Sequence, residues 1–88
     1  MLESLKALSE LPGISGREEA VRAFLQERLE GIAACRVDGL GNLIVRKKGK
    51  NRAGKTVMIS AHMDEVGFLI THIEENGLLR FAAVGGID

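Results

Sequence analysis

The sequence predicts an α/β fold in which two amino-terminal helices lead into a β-hairpin, the core strand of a mixed sheet and a second hairpin. Three observations carry this. Leucines and other apolar residues recur at helical spacing as far as Leu29, the period switches to two after Gly31, and one apolar run, Val57 to Ala61, stops abruptly at a histidine.

Leu2, Leu5, Leu8 and Leu11 share one face of a first helix over residues 2–11, with Glu3, Lys6 and Glu10 on other faces. Pro12-Gly13 ends it, because proline disfavours helical backbone in the residue before it and glycine permits a sharp turn. Ser15 opens a second helix, expected over residues 15–30, and Glu18 three positions on completes the pattern of a capping box. Ala20, Val21, Phe24, Leu25 and Leu29 form its apolar stripe, and Gly31 is its stop. The Gly-Ile-Ser-Gly turn has the wrong glycine spacing for a phosphate loop, so a helix cap is the better reading.

Beyond Gly31, Ala33, Cys35 and Val37 alternate with more polar neighbours. This predicts a strand near 32–38 that pairs, through the turn Gly39 to Asn42, with a strand near 43–48. Cys35 reads as a small core residue with nothing beside it to activate a thiolate. Six basic residues fall between Arg46 and Lys55, but no aromatic is interleaved for base stacking, so a solvated loop is expected there. After strands near 56–61 and 66–73, Asn76-Gly77 between apolar runs signals a hairpin to a last strand near 78–84.

Composition narrows the function. The chain has 88 residues, at most one small domain; Lys plus Arg and Asp plus Glu are both 12, so nothing global favours a nucleic acid or an anionic membrane as partner. The one cysteine excludes an internal disulfide and fits a reducing cytoplasm. Met1 to Lys6 lacks the apolar core of a signal peptide, and no segment approaches the roughly 20 apolar residues of a membrane span.

Chemistry gathers at His62, Asp64 and Glu65. An apolar run of this length suits a strand buried on both faces, and ligands collect beyond the carboxyl ends of such strands. Imidazole suits zinc or cobalt, and a carboxylate two residues on can bind the metal or hold the ring in its tautomer. A lone His-x-Asp is common by chance and more often structural. Glu65 is not placed as in the helical His-Glu-x-x-His pattern either. His72, inside a strand, reads as structural.

Ser60-Ala61-His62-Met63-Asp64-Glu65-Val66-Gly67-Phe68, followed by Thr71-His72-Ile73-Glu74 and Val84-Gly85-Gly86-Ile87-Asp88, resembles the dinuclear-metal aminopeptidases of the glutamyl/leucyl type. These form hollow tetrahedral particles, and some members are labelled endoglucanases. Leu11-Pro12-Gly13-Ile14-Ser15-Gly16-Arg17-Glu18 and Asp38-Gly39-Leu40-Gly41-Asn42-Leu43 resemble the same family's opening motifs, in order along essentially the whole chain.

The resemblance implies a zinc-peptidase-like mixed sheet. Residues 1–64 would be the amino-terminal part of the catalytic domain, and 65–88 the first hairpin of an inserted β-rich dimerisation domain. It implies a cytoplasmic aminopeptidase with peptide substrates and two divalent ions, zinc or cobalt, whose dimers assemble into a homo-oligomeric dodecamer. His62 would ligate one ion, and Asp64 would serve catalysis by orienting His62. The family's other ligands and its general-base glutamate lie downstream of Asp88, so the 88 residues alone are expected to be inactive. They are also expected to expose apolar surface, because Val57 to Ala61 needs neighbours on both faces that two helices and a hairpin can hardly supply. Two alternatives remain: a truncated non-catalytic relative that binds metal or a partner, and a structural piece that completes another polypeptide's sheet.

Overall fold

Pro12 sets the first boundary. A computed structural model describes residues 1–50 and 54–87. In it helix α1 runs Leu2–Glu10 and stops at Leu11, whose ψ of 140° is the extended backbone that a following proline enforces. Helix α2 runs Glu19–Leu29, four residues shorter at its start than the sequence suggests. The expected capping box is not formed: Glu18 occupies the cap position, and no side chain caps the helix. Instead the Glu18 carboxylate accepts from the Gly16 N–H at 2.6 Å, and the Ser15 hydroxyl turns to Asp64. At the other end Gly31, with φ of 76°, ends α2 as expected, and the Ile32 and Ala33 N–H groups close on the Leu29 carbonyl.

Two antiparallel hairpins follow. Strand β1 (Ala34–Val37) pairs with β2 (Leu43–Arg46), and β3 (Gly67–Ile73) with β4 (Leu79–Val84). Both turns are built alike. In the first, the Gly41 N–H donates to the Asp38 carbonyl and the Asp38 N–H to that of Asn42; in the second, Gly77, Glu74 and Leu78 repeat this. Gly41 and Gly77 each have φ of 88°, the left-handed position that such a glycine-bulge hairpin demands. Within β3 a bulge between Ile70 and His72 shifts the register, so His72 faces Arg80.

The strand expected at residues 56–61 is not formed. Thr56 to Ala61 takes up no ladder, and Val57, Met58 and Ile59 are 83%, 88% and 91% exposed. A strand is defined by its neighbours, and among the described residues none lies alongside this run: β1 pairs with β2 and β3 with β4, and their outer edges stay unpaired. The mixed sheet is likewise replaced by two separate antiparallel pairs; the parallel element among the described residues is one bridge, Ile14 to Glu65. Residues 51–53 of the basic stretch lie outside the described residues, as does Asp88; Lys47, Lys48 and Lys50 are exposed, as a solvated loop requires.

The helices and the first hairpin border a groove of about 760 Å³. Leu25 and Leu29 of α2, Leu43 to Val45 of β2 and Met58 to Met63 line it. Arg22 ties α2 to the first turn, its Nη1 donating to the Gly41 carbonyl at 2.8 Å. The molecule extends 64 × 27 × 24 Å with a radius of gyration of 17.5 Å, against roughly 12 Å for a compact chain of this length. Its 8019 Å² of surface compares with roughly 5,000 Å² for a compact protein of its mass. Val21, 7% exposed, is the one buried apolar side chain of the core among the described residues.

Candidate metal centre

His62 sits where the extended run ends, and its ring is held from one side. Nδ1 lies 3.0 Å from Asp64 Oδ1 and 3.1 Å from the Asp64 carbonyl oxygen. Both are acceptors, so in the neutral ring Nδ1 carries the hydrogen and Nε2 keeps its lone pair. The imidazole is 86% exposed, and Nε2 makes no hydrogen bond among the described residues. A two-residue spacing lets the side chain of Asp64 and its own backbone grip one ring nitrogen together. The resulting geometry presents a neutral imidazole donor outward, the form that divalent metal ions bind.

Asp64 is held from its other side as well. Its Oδ2 accepts from the Ser15 hydroxyl, while Oδ1 accepts from His62. That serine, and after it the His62 ring, hold the Asp64 carboxyl below its usual value. The contact crosses 49 residues of sequence, and the local Ser-x-x-Glu pattern gives no sign of it.

Neighbouring ties fix the Ser15 loop in place. The Gly13 N–H donates to Glu65 Oε1 at 3.1 Å, and the Glu65 N–H donates back to the Gly13 carbonyl at 2.8 Å. Glu65 is therefore a clamp on the amino-terminal loop. Gly67 is required by the same packing, because a methyl on it would come within 2.1 Å of Ile14 Cγ2.

His72 is not brought into this cluster. Its Nε2 lies 3.9 Å from Glu74 Oε2, and Glu74 also pairs with Arg80 at 2.5 Å, a surface network at the far end of the second hairpin. Cys35 is half-buried in β1, with its Sγ toward the Ala33 carbonyl. Among the described residues no three His, Cys, Asp or Glu side chains converge as a metal cluster would require. The donor chemistry thus fits one metal ligand and its orienting carboxylate. No helix among the described residues is long and apolar enough to cross a membrane.

Known proteins are similar to this chain in sequence and in fold. A putative aminopeptidase of Acetivibrio thermocellus is 48% identical over 89 residues, covering 100% of this chain and 26% of its own length. The crystal structure of an endoglucanase from Thermotoga maritima superposes with a TM-score of 0.87 at 47% identity, covering 96% of this chain and 27% of that one. The TET1 peptidase of Pyrococcus horikoshii, which can assemble into a tetrahedron or a large octahedral shell, superposes at 0.83 with 45% identity, covering 99% and 26%. The chain thus spans about a quarter of the length of the relatives it matches. Its residues 41–88 match the M42 glutamyl aminopeptidase family, and to that family the chain belongs.

Proposed function

We propose that this chain is the amino-terminal part of a metal-dependent aminopeptidase that removes amino-terminal residues from peptides, and that it supplies one metal ligand, His62. The observation that carries the reading is the ring geometry: Nδ1 is spent on Asp64 and Nε2 faces outward. When bound, a pair of divalent ions, zinc or cobalt, lowers the pKa of water and polarises the peptide carbonyl. This chain's own residues then have two tasks. His62 offers Nε2 as a donor, and Asp64 keeps the Nδ1 proton in place and the ring fixed, so that the lone pair stays on the outer nitrogen.

The 88 residues hold one donor of the set and are inactive alone. Residues 1–64 form the amino-terminal part of the catalytic domain in this reading, and 65–88 begin an inserted β-rich dimerisation domain. The apolar run Val57 to Ala61, set across a groove from β2, is read as a strand of a zinc-peptidase-like sheet that gains its neighbours from further chain. Assembly into dimers and then a dodecamer draws support from the shells of the Pyrococcus peptidase. A lone cysteine, with no internal disulfide, supports work in the reducing cytoplasm.

The test is metal content by elemental analysis, with the rate on an aminoacyl anilide, for the polypeptide as its gene encodes it and for two variants. His62→Ala should lose one ion and all activity while its circular dichroism is unchanged. Asp64→Asn should still load at high metal, with affinity down roughly 10–100-fold, and turn over slowly. Full occupancy in His62→Ala, or full activity in Asp64→Asn, sinks the assignment.

A further inference from the structure

We propose that Ser15 is a positioning residue for the metal-ligand histidine, acting through Asp64. The inference rests on the reading of His62 as a ligand. Its ground is a continuous chain of hydrogen bonds: Ser15 Oγ donates to Asp64 Oδ2, and His62 Nδ1 donates to Asp64 Oδ1 at 3.0 Å.

Asp64 needs this help because its side chain is 38% exposed. A carboxylate bonded through one oxygen can swing about its terminal torsion, which has a broad profile. Water can then take its place on the imidazole. A donor fixed on the second oxygen sets the carboxylate plane and keeps the first oxygen on Nδ1.

Ser15 is itself fixed. The Arg17 N–H donates to the Ile14 carbonyl at 2.8 Å, and the Gly16 N–H to Glu18. Gly13 and Glu65 exchange two hydrogen bonds on the other flank. The loop from Gly13 to Gly16 is therefore a frame that holds one hydroxyl against Asp64. The serine is also free of the helix, since α2 carries no side-chain cap. The amino-terminal loop thus forms a third layer behind the metal: loop to carboxylate, carboxylate to ring, ring to ion.

A purely structural serine would staple the loop and nothing more. The two roles separate in the affinity for metal alone. Binding of Co²⁺ or Zn²⁺ is measured by competition with a chromophoric chelator, together with the Co²⁺ visible spectrum and the melting temperature of the metal-free protein. The protein is the polypeptide as its gene encodes it.

Ser15→Ala should weaken affinity by about tenfold, the low end of the range for residues bonded directly to a ligand, because Ser15 acts through Asp64. Ser15→Thr, which keeps the hydroxyl, should restore affinity and spectrum. In an Asp64→Asn background, Ser15→Ala should have no further effect on affinity. Unchanged affinity in Ser15→Ala, even with a lower melting temperature, overturns the proposal, and so does an equal loss in the Asp64→Asn background. Should Ser15→Ala fail to fold, the Thr and Val variants decide, being alike in shape but not in hydroxyl; equal affinity in the two overturns it. His62→Ala separates the two readings. If it binds metal as the wild type does, both fall; if it loses an ion while Ser15→Ala does not change affinity, only the inference about Ser15 falls.

Discussion

Asp38 and Asp64 are both carboxylates gripped by several donors, yet they serve different neighbours. Asp38 closes the first hairpin. Its Oδ1 accepts from the Leu40 and Asn42 N–H groups at 3.0 and 2.9 Å, and its Oδ2 from Asn42 Nδ2 at 2.9 Å. The Asn42 side chain first, then the backbone of Asn42 and Leu40, hold its carboxyl below the ordinary 3.8. A carboxyl lowered by folding adds stability that is present above its unfolded value and is lost as pH falls through the folded one. The turn should therefore stay intact at pH 5 and loosen only below 3.8. An NMR titration of the Gly41 and Asn42 amides should show a midpoint below that value, absent in Asp38→Asn; a midpoint at or above it contradicts the account. At this scale spacing made much of the site legible. A histidine and an aspartate two residues apart can meet without help from the fold. Ser15 cannot be assigned so, because its partner is 49 residues away and a local helix-capping pattern competes for the same hydroxyl.

Among the elements, the joint between the Ser15 loop and the start of β3 is the tightest. Gly67 stands where a methyl would meet Ile14 Cγ2 at 2.1 Å, and relief needs either a change of the stiff Ile14 χ1 rotamer or a shift of the Ile14–Glu65 bridge. Gly67→Ala should cost about 1–3 kcal/mol, the usual range for an overpacked contact. The second substitution Ile14→Ala should return part of it, since the clash disappears with the side chain. Denaturant unfolding of both variants checks this; a Gly67→Ala protein as stable as wild type would show that the loop packs elsewhere. Both helices and both hairpins are legible in the sequence because their signals are local: Pro12 and Gly31 as stops, Gly41 and Gly77 as turn residues. The Val57 to Ala61 run is not. Its composition states that it wants cover on both faces, but a ladder depends on which segments lie alongside, and no local pattern encodes that. The early start expected for α2 fails for a related reason, since Ser15 is claimed by a distant carboxylate.

The whole molecule carries far more apolar surface than its mass warrants. Phe68 and Phe81 stack edge to face at 4.9 Å on one side of the second hairpin, yet both remain more than half exposed, as do Ile70, Ile73 and Leu79. Patches of this kind mark surfaces that want a partner. The 88-residue polypeptide should bind a hydrophobic dye and sediment as concentration-dependent assemblies; a monomer that binds no dye and unfolds in one cooperative step would contradict this. The two-way tie between Gly13 and Glu65 has a further consequence, for the order of folding. It closes a loop of 52 residues, which costs about 3.5 kcal/mol of chain entropy, while its two hydrogen bonds return about 0.5–1.5 each, less than that cost. Those bonds cannot draw the two segments together from an open chain. Helix α2 and the first hairpin, joined by Arg22, must shorten the path beforehand, so the seat of His62 is set late, after the chain between its two halves has folded.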